Sequence, residues 1–188
     1  WKALDDDIAC ATPVHFMHGG VAQVVHFTAR GLVSVAADTG KELWRVDHPE
    51  MDQFVNGFTF VASEGLFVMN NVPHPDKLYF FDQTCASKGT RTIQYLNSSY
   101  RPGHLEGMTY IPATSPTFPD HLIMVAWDDP NGTAFRLIII RRDGVQVAEI
   151  SRNDWPTQFF EGGLGDVTFL TPNRLLVSLY HTDTLWTM

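Results

Sequence analysis

Three oxygen-bearing side chains stand at the starts of three copies of a repeated segment of the sequence. Asn56 lies in Val-Asn-Gly-Phe-Thr-Phe, Glu106 lies in Leu-Glu-Gly-Met-Thr-Tyr, and Asp166 precedes Val-Thr-Phe. Carboxylate and amide oxygens are the ligands that a hard cation such as calcium prefers. If the fold brings the three segments together, we expect Asn56, Glu106 and Asp166 to hold a divalent metal, with calcium the best match.

A histidine next to one of these positions adds a group that can transfer protons. His104 lies two residues before Glu106. Imidazole titrates near neutral pH, and a base beside a metal-bound water is a common arrangement in metal-assisted hydrolysis. We therefore predict that His104 is the catalytic base of such a site.

Two features of the repeated segments leave a structural alternative open. Gly165, and not Asp166, aligns with the other two positions, and an offset of one residue turns a strand side chain to the opposite face. The glycines that follow Asn56 and Glu106 also suit tight turns. In that case the two polar side chains would bond only to nearby backbone.

Short strands are the elements that must carry these residues. Runs rich in Val, Ile, Leu, Phe and Tyr alternate with turns rich in Gly, Pro, Asn and Asp. Such runs are typical of strands, and no long helical period accompanies them. The pattern predicts fourteen strands and an all-β fold.

The strands repeat with a long period. The pattern of Gly or Asp, apolar residue, Thr and aromatic residue starts at Gly57, Gly107 and Asp166, which are 50 and 59 residues apart. Periods of this length are typical of propeller blades, whose faces must be covered by neighbouring blades. The sequence therefore predicts one β-propeller domain of four-stranded antiparallel blades. Their predicted ranges are about 20–50, 54–98, 104–154 and 160–188.

The number of blades predicts a partial ring. About three and a half blades fit in 188 residues, whereas propellers typically have about four to eight. We expect the chain to be part of a six-bladed ring, with a compact four-bladed ring and a β-sandwich as the alternatives. The first strand of each propeller blade lines the central channel, so the residues before these strands should converge on the axis.

The segments around Asn56 and Glu106 resemble a known group of propellers. Val-Asn-Gly-Phe-Thr-Phe and Leu-Glu-Gly-Met-Thr-Tyr are similar to the inner-strand starts of the regucalcin/gluconolactonase, paraoxonase and strictosidine-synthase propellers. The resemblance covers roughly residues 56–186. It implies a catalytic divalent metal in the channel, held by Asn56, Glu106 and Asp166, and metal-assisted hydrolysis of a lactone or ester.

Sequons and cysteines indicate where the protein resides. Asn97 and Asn131 begin Asn-x-Ser/Thr triplets in turn-rich stretches, and Cys10 and Cys85 allow either one disulfide or two free thiols. We therefore expect a secreted or lumenal glycoprotein. The net charge of −8 and the scattered basic residues argue against a nucleic-acid partner, and no apolar run is long enough to span a membrane.

Two classes of function remain open at this point. The first is binding of a small ligand in the channel, with hydrolysis of a lactone or ester as its catalytic form. The second is a non-catalytic extracellular recognition or scaffold propeller that binds a protein or a glycan, because one propeller shape serves many roles. The remaining blades of its own ring are a further expected partner.

Overall fold

The protein is described by a computed structural model. The structure describes residues 5–6, 11–47, 56–70, 74, 76–84, 86–128, 134–151, 154, 164–171, 174–179 and 184–187. These residues form fifteen β-strands, one more than the fourteen predicted, and no α-helix, in agreement with the predicted all-β class. None of them forms a helix long and apolar enough to cross a membrane.

The strands form four consecutive antiparallel sheets, in each of which neighbours along the chain are neighbours in the sheet. The first sheet comprises β1 (Val14–His18), β2 (Val21–Thr28), β3 (Gly31–Ala36) and β4 (Glu42–Asp47). The second comprises β5 (Phe58–Val61), β6 (Leu66–Asn70), β7 (Lys77–Phe81) and β8 (Ser87–Thr92). The third comprises β9 (His104–Ile111), β10 (His121–Trp127), β11 (Phe135–Arg141) and β12 (Gln146–Ser151). The fourth has three strands among the described residues, β13 (Leu164–Thr171), β14 (Arg174–Leu179) and β15 (Thr184–Thr187).

The first strands of successive sheets lie side by side. β1 contacts β5, β5 contacts β9, and β9 contacts β13. We call these four the inner strands. Sheets that radiate from adjacent inner strands are the blades of a β-propeller, so the predicted fold class is confirmed. That the whole ring has six blades stays a prediction.

Apolar residues fill the space between successive blades, which explains why the middle strands are apolar on both faces. In β11, Leu137 and Ile139 pack towards the fourth sheet, while Ile138 and Ile140 pack towards the second. All four are buried. Full burial of such a side chain is worth roughly 1.5–3 kcal/mol, and this drives neighbouring blades together.

The first blade begins earlier than residue 20, where the sequence pattern placed its start. β1 is its inner strand and pairs with β2 across the Gly19–Gly20 turn. The segment Val-His-Phe-Met-His lacks the Gly-apolar-Thr-aromatic pattern of the other inner strands. The only trace of β1 in the sequence is a short alternation of apolar and polar residues.

Glycines allow the inner strands to approach closely. A Cβ atom on Gly57 would lie 2.7 Å from the Glu106 carbonyl oxygen and 2.9 Å from the Met108 Cβ, and one on Gly107 would lie 2.5 Å from the Asp166 Cα. Neither glycine has a positive φ. The repeated glycine therefore serves contact between blades, and the alternative based on tight turns is wrong for these two positions.

The repeated threonine also joins blades. The Thr59 hydroxyl of β5 accepts a hydrogen bond of 3.2 Å from the Tyr110 N–H of β9. Thr59 is buried, so the bond satisfies polar groups that would otherwise be costly to bury.

Candidate functional site

The site predicted from the sequence lies where the inner strands begin. Asn56 lies two residues before β5, His104 and Glu106 are the first and third residues of β9, and Asp166 is the third residue of β13. We call these four residues the axial cluster. The structure brings them together from three consecutive blades.

Glu106 is the centre of the axial cluster. Its Oε2 accepts a hydrogen bond of 3.0 Å from the Asn56 Nδ2, and its Oε1 lies 3.1 Å from the His104 Nε2. The His104 ring packs against Trp127, with ring centroids 4.7 Å apart. Asn56 and Glu106 thus bond to each other across a blade junction, and not to nearby backbone alone.

Asp166 reaches the cluster despite its offset in the repeated pattern. The pairing of β13 with β14 is irregular between Leu164 and Val167. A β-bulge of this kind re-aims a side chain, which explains how a residue one position out of register still lies against Gly107. The Asp166 Oδ1 accepts a hydrogen bond of 2.7 Å from the Val167 N–H.

Two further residues of the site had no place in the sequence prediction. The Thr12 hydroxyl, from the segment before β1, donates a hydrogen bond to the Asp166 carboxylate. Asn70 is fully buried, accepts a bond of 2.8 Å from the Gly57 N–H and donates one of 2.9 Å to the Glu106 carbonyl. Thr12 lies two residues before an inner strand, as Asn56 does, so recognising β1 would have found it. Asn70 carried only a weak signal, a polar residue that ends an apolar strand.

Burial sets the charge state of the two carboxyl groups. It raises the pKa of Glu106 to about 7; the charge of Asp166 adds to this effect, and the hydrogen bond from Asn56 opposes it. Burial also raises the pKa of Asp166 to about 6, against the hydrogen bond from the Val167 N–H. Two partly desolvated acids therefore interact, and among the described residues no Lys or Arg pairs with either of them; the imidazole of His104 is the group that can carry a positive charge beside Glu106.

The donor set of the cluster fits a hard cation. A divalent ion would neutralise both carboxylates, and the oxygens of Glu106, Asp166 and Asn56 match the preference of calcium. In the part of the chain that the structure describes, no three His, Cys, Asp or Glu side chains gather as a metal-binding group. His104, Glu106 and Asp166 therefore do not form a ready-made cage. Two carboxylates and one amide also supply fewer oxygens than the roughly six to eight that calcium takes, so water or substrate would occupy the remaining positions on the ion.

A cavity of about 790 Å³ runs along the inner strands. Residues of all four inner strands line it, including the repeated Thr and aromatic residues of β5, β9 and β13. Thr12 lines this cavity as well as bonding to Asp166. The volume is in the range of small-molecule sites, which are mostly apolar with a few polar groups.

Of the residues predicted to be glycosylated or to form a disulfide, the structure describes only Asn97. Asn97 is exposed in a turn, where its Oδ1 accepts a hydrogen bond of 2.9 Å from the Ser99 N–H. Its glycosylation stays a prediction. Asn131, Cys10 and Cys85 lie outside the described residues.

Comparisons with known proteins find similar structures but no match in sequence. No protein-family model matches the chain, and no curated protein matches it. A structure of BBS1N in complex with ARL6DN superposes with a TM-score of 0.54 at 11% identity, over 90% of this chain and 47% of that one. A protein of unknown function from Bacteroides caccae gives a TM-score of 0.53 at 11% identity, over 93% and 55% of the two chains. Kuenenia stuttgartiensis hydrazine synthase gives 0.54 at 12% identity, over 100% and 47%.

These similarities concern the fold alone. They are to propeller-like structures and agree with the arrangement of four-stranded antiparallel blades. The chain spans about half the length of the structures it matches. None of these three belongs to the regucalcin or paraoxonase group that the sequence resembles, so membership of that group stays a prediction.

Proposed function

We propose that this protein binds a divalent cation, calcium, at the axial cluster, and a small ligand in the adjoining channel. The observation that carries the proposal is Glu106, a carboxylate bonded to Asn56 and His104 and close to the carboxylate of Asp166. Two acids with raised pKa values and, among the described residues, no Lys or Arg partner are costly to keep ionised together. A bound cation would remove that cost. If the site had only a structural role, uncharged side chains in place of the two acids would make the folded protein more stable.

The catalytic form of the proposal is hydrolysis of a lactone or ester, the activity that the resemblance to regucalcin-like and paraoxonase-like propellers implies. A bound calcium ion would supply Lewis-acid polarisation at the channel mouth. Glu106, Asp166 and Asn56 would hold the ion. His104 would accept a proton from the attacking water. Its contacts with the Glu106 Oε1 and the Trp127 ring fix its position.

Calcium-dependent melting tests the cation site. We expect calcium to raise the melting temperature of the chelator-treated protein, because an ion that binds only the folded state stabilises it. Glu106→Ala should abolish the shift. The matched control is Glu64→Ala, at a carboxylate that contacts Arg91 and Arg142 at a distance from the cluster; this variant should keep the shift.

Hydrolysis is tested separately on the same variants. A panel of lactones and carboxylic esters should be hydrolysed in a calcium-dependent way, with loss of turnover in His104→Gln while the calcium-induced melting shift remains. A melting shift without hydrolysis would leave a calcium-binding recognition propeller. If calcium has no effect on melting and no ester or lactone is hydrolysed, the proposal is wrong and the protein- or glycan-binding class is favoured.

A further inference from the structure

A second cavity lies between the third and fourth blades, separate from the axial cluster. Its volume is about 320 Å³. It is bounded by the two blades and by the loop 112–120 between β9 and β10. Most of its lining side chains are aliphatic or aromatic, and they include Ile111, Ile123, Ile139, Ile150, Phe169 and Leu175.

The polar groups of the lining are occupied within the loop. Ser115 is buried; its hydroxyl donates a hydrogen bond of 3.0 Å to the Thr117 carbonyl and accepts one of 3.4 Å from the Thr117 N–H. None of the described residues that line the cavity carries a charge. The exposed Pro116 and Thr117 leave one side of the space open to solvent. Water against the apolar walls finds few hydrogen-bond partners, so an apolar molecule that displaced it would be favoured.

The loop over the cavity is fixed in place and does not collapse into the cavity. Phe118 and Asp120 have φ values of 49° and 64°, in the left-handed region that Asp tolerates and that is unfavourable for a bulky residue such as Phe118. The Asp120 carboxylate holds the end of the loop, because it accepts hydrogen bonds of 2.6 Å from Ser63 and Tyr110 and pairs with Arg142 at 2.8 Å. Phe118 is thereby held at the cavity wall, with its ring 5.9 Å from that of His121.

Clefts lined mostly by apolar side chains are the usual form of small-molecule sites. A preformed apolar space bounded by an anchored loop therefore has the form of a small-molecule binding site. We propose that the cavity binds a small uncharged apolar molecule, about the size of a fused two-ring hydrocarbon. The size follows from the volume, which is about twice that of an apolar cavity of about 150 Å³ that binds benzene.

Methyl NMR with naphthalene as the probe tests this proposal. The isoleucines of the chain provide their own control, since Ile111, Ile123, Ile139 and Ile150 line the cavity, whereas Ile93, Ile138 and Ile140 pack between the second and third blades. We expect saturable ring-current shifts in the first group and none in the second. Methionine labelling adds a second control, because Met17 and Met108 line the larger cavity along the inner strands.

Filling the cavity should block the probe. Ile139→Phe is expected to weaken naphthalene binding at least tenfold, and Ile138→Val, on the opposite face of the same strand, should leave it unchanged. If Ile139→Phe does not fold, Ile150→Phe serves instead, because Ile150 is only half-buried and has room for a ring. Absence of shifts up to the solubility of naphthalene, equal shifts in both isoleucine groups, shifts confined to Met17 and Met108, or unchanged binding in both filled variants would each overturn the proposal. The calcium experiment does not depend on any of these outcomes.

Discussion

The axial cluster and a network of ion pairs between the second and third blades both gather ionisable side chains at a blade junction, and they differ in what faces each carboxylate. The network consists of Glu64, Arg91, Asp120 and Arg142, and lies where the inner strands β5 and β9 end. Glu64 contacts both arginines, and Arg142 also contacts Asp120. In the axial cluster, Glu106 meets an amide, an imidazole and the charge of a second carboxylate.

The pKa values of the two regions shift in opposite directions for this reason. Although burial opposes the change, hydrogen bonds from Ser63 and Tyr110 and the charge of Arg142 lower the pKa of Asp120. Burial and the charge of Asp166 raise that of Glu106. A network that neutralises itself holds blades together. A cluster whose two acids have no Lys or Arg partner among the described residues is suited to bind a cation.

The largest expected effect on stability comes from adding a Cβ atom at Gly107, where two inner strands approach each other at the axial cluster. In Gly107→Ala the new Cβ would overlap the Asp166 carboxylate and approach its Cα to 2.5 Å, so backbone must move. We expect a loss of about 3 kcal/mol in the free energy of unfolding, measured by urea denaturation. The control is Gly89→Ala, where a Cβ meets no atom within 4 Å but φ is 100°; it should cost about 1 kcal/mol. Equal losses in the two variants would mean that close approach is not what the glycine serves.

The second effect is the pH dependence of stability. Because the folded protein raises the pKa of Glu106 from 4.5 to about 7 and that of Asp166 from 3.8 to about 6, it binds these protons more tightly than the unfolded chain. Stability should therefore fall as the pH rises from 5 to 8 without calcium, by about 2 kcal/mol after allowance for solvent screening. Urea denaturation at both pH values measures this change.

Two variants and added calcium show whether the pH dependence comes from the axial cluster or from the ion-pair network. Glu106→Gln should flatten the slope between pH 5 and 8, and saturating calcium should reverse it, since calcium binds the ionised carboxylates. The lowered pKa of Asp120 gives the opposite sign: its stabilisation is present above its ordinary value of 3.8 and is lost as the pH falls through the folded pKa. Asp120→Asn should therefore leave the slope between pH 5 and 8 as it is.

The smallest effect is expected in the ion-pair network. Arg142→Met removes the contacts with Glu64 and Asp120, and should cost roughly 1 kcal/mol at low salt, less at high salt. The neighbouring Arg141 pairs only with Asp143 among the contacts seen, and its side chain is half exposed, so Arg141→Met is the control and should change stability little. Thermal melting at two salt concentrations measures both. A salt-independent loss in Arg142→Met would show that packing, and not charge, explains its contribution.

Much of the fold could be predicted because apolar pattern and turn chemistry are local. The alternating runs predicted strands at β2 to β15, and the repeated Gly-apolar-Thr-aromatic segments predicted which strands begin a blade. β1 was not predicted, because Val14–His18 contains no such segment. Its role as an inner strand depends on contact with β5, which no local pattern contains.

The sequence by itself determined the all-β class, the blade repeat and the identity of Asn56, His104, Glu106 and Asp166 as candidates. Residue types and spacing are enough for that, since each candidate belongs to a repeated local segment. Only the tertiary structure decided that these residues meet, because their contacts cross from one blade to the next. It also added Thr12 and Asn70, turned Asp166 inward through an irregular strand pairing, and raised two pKa values by burial. Burial is a property of the assembled blades, and no segment carries it alone.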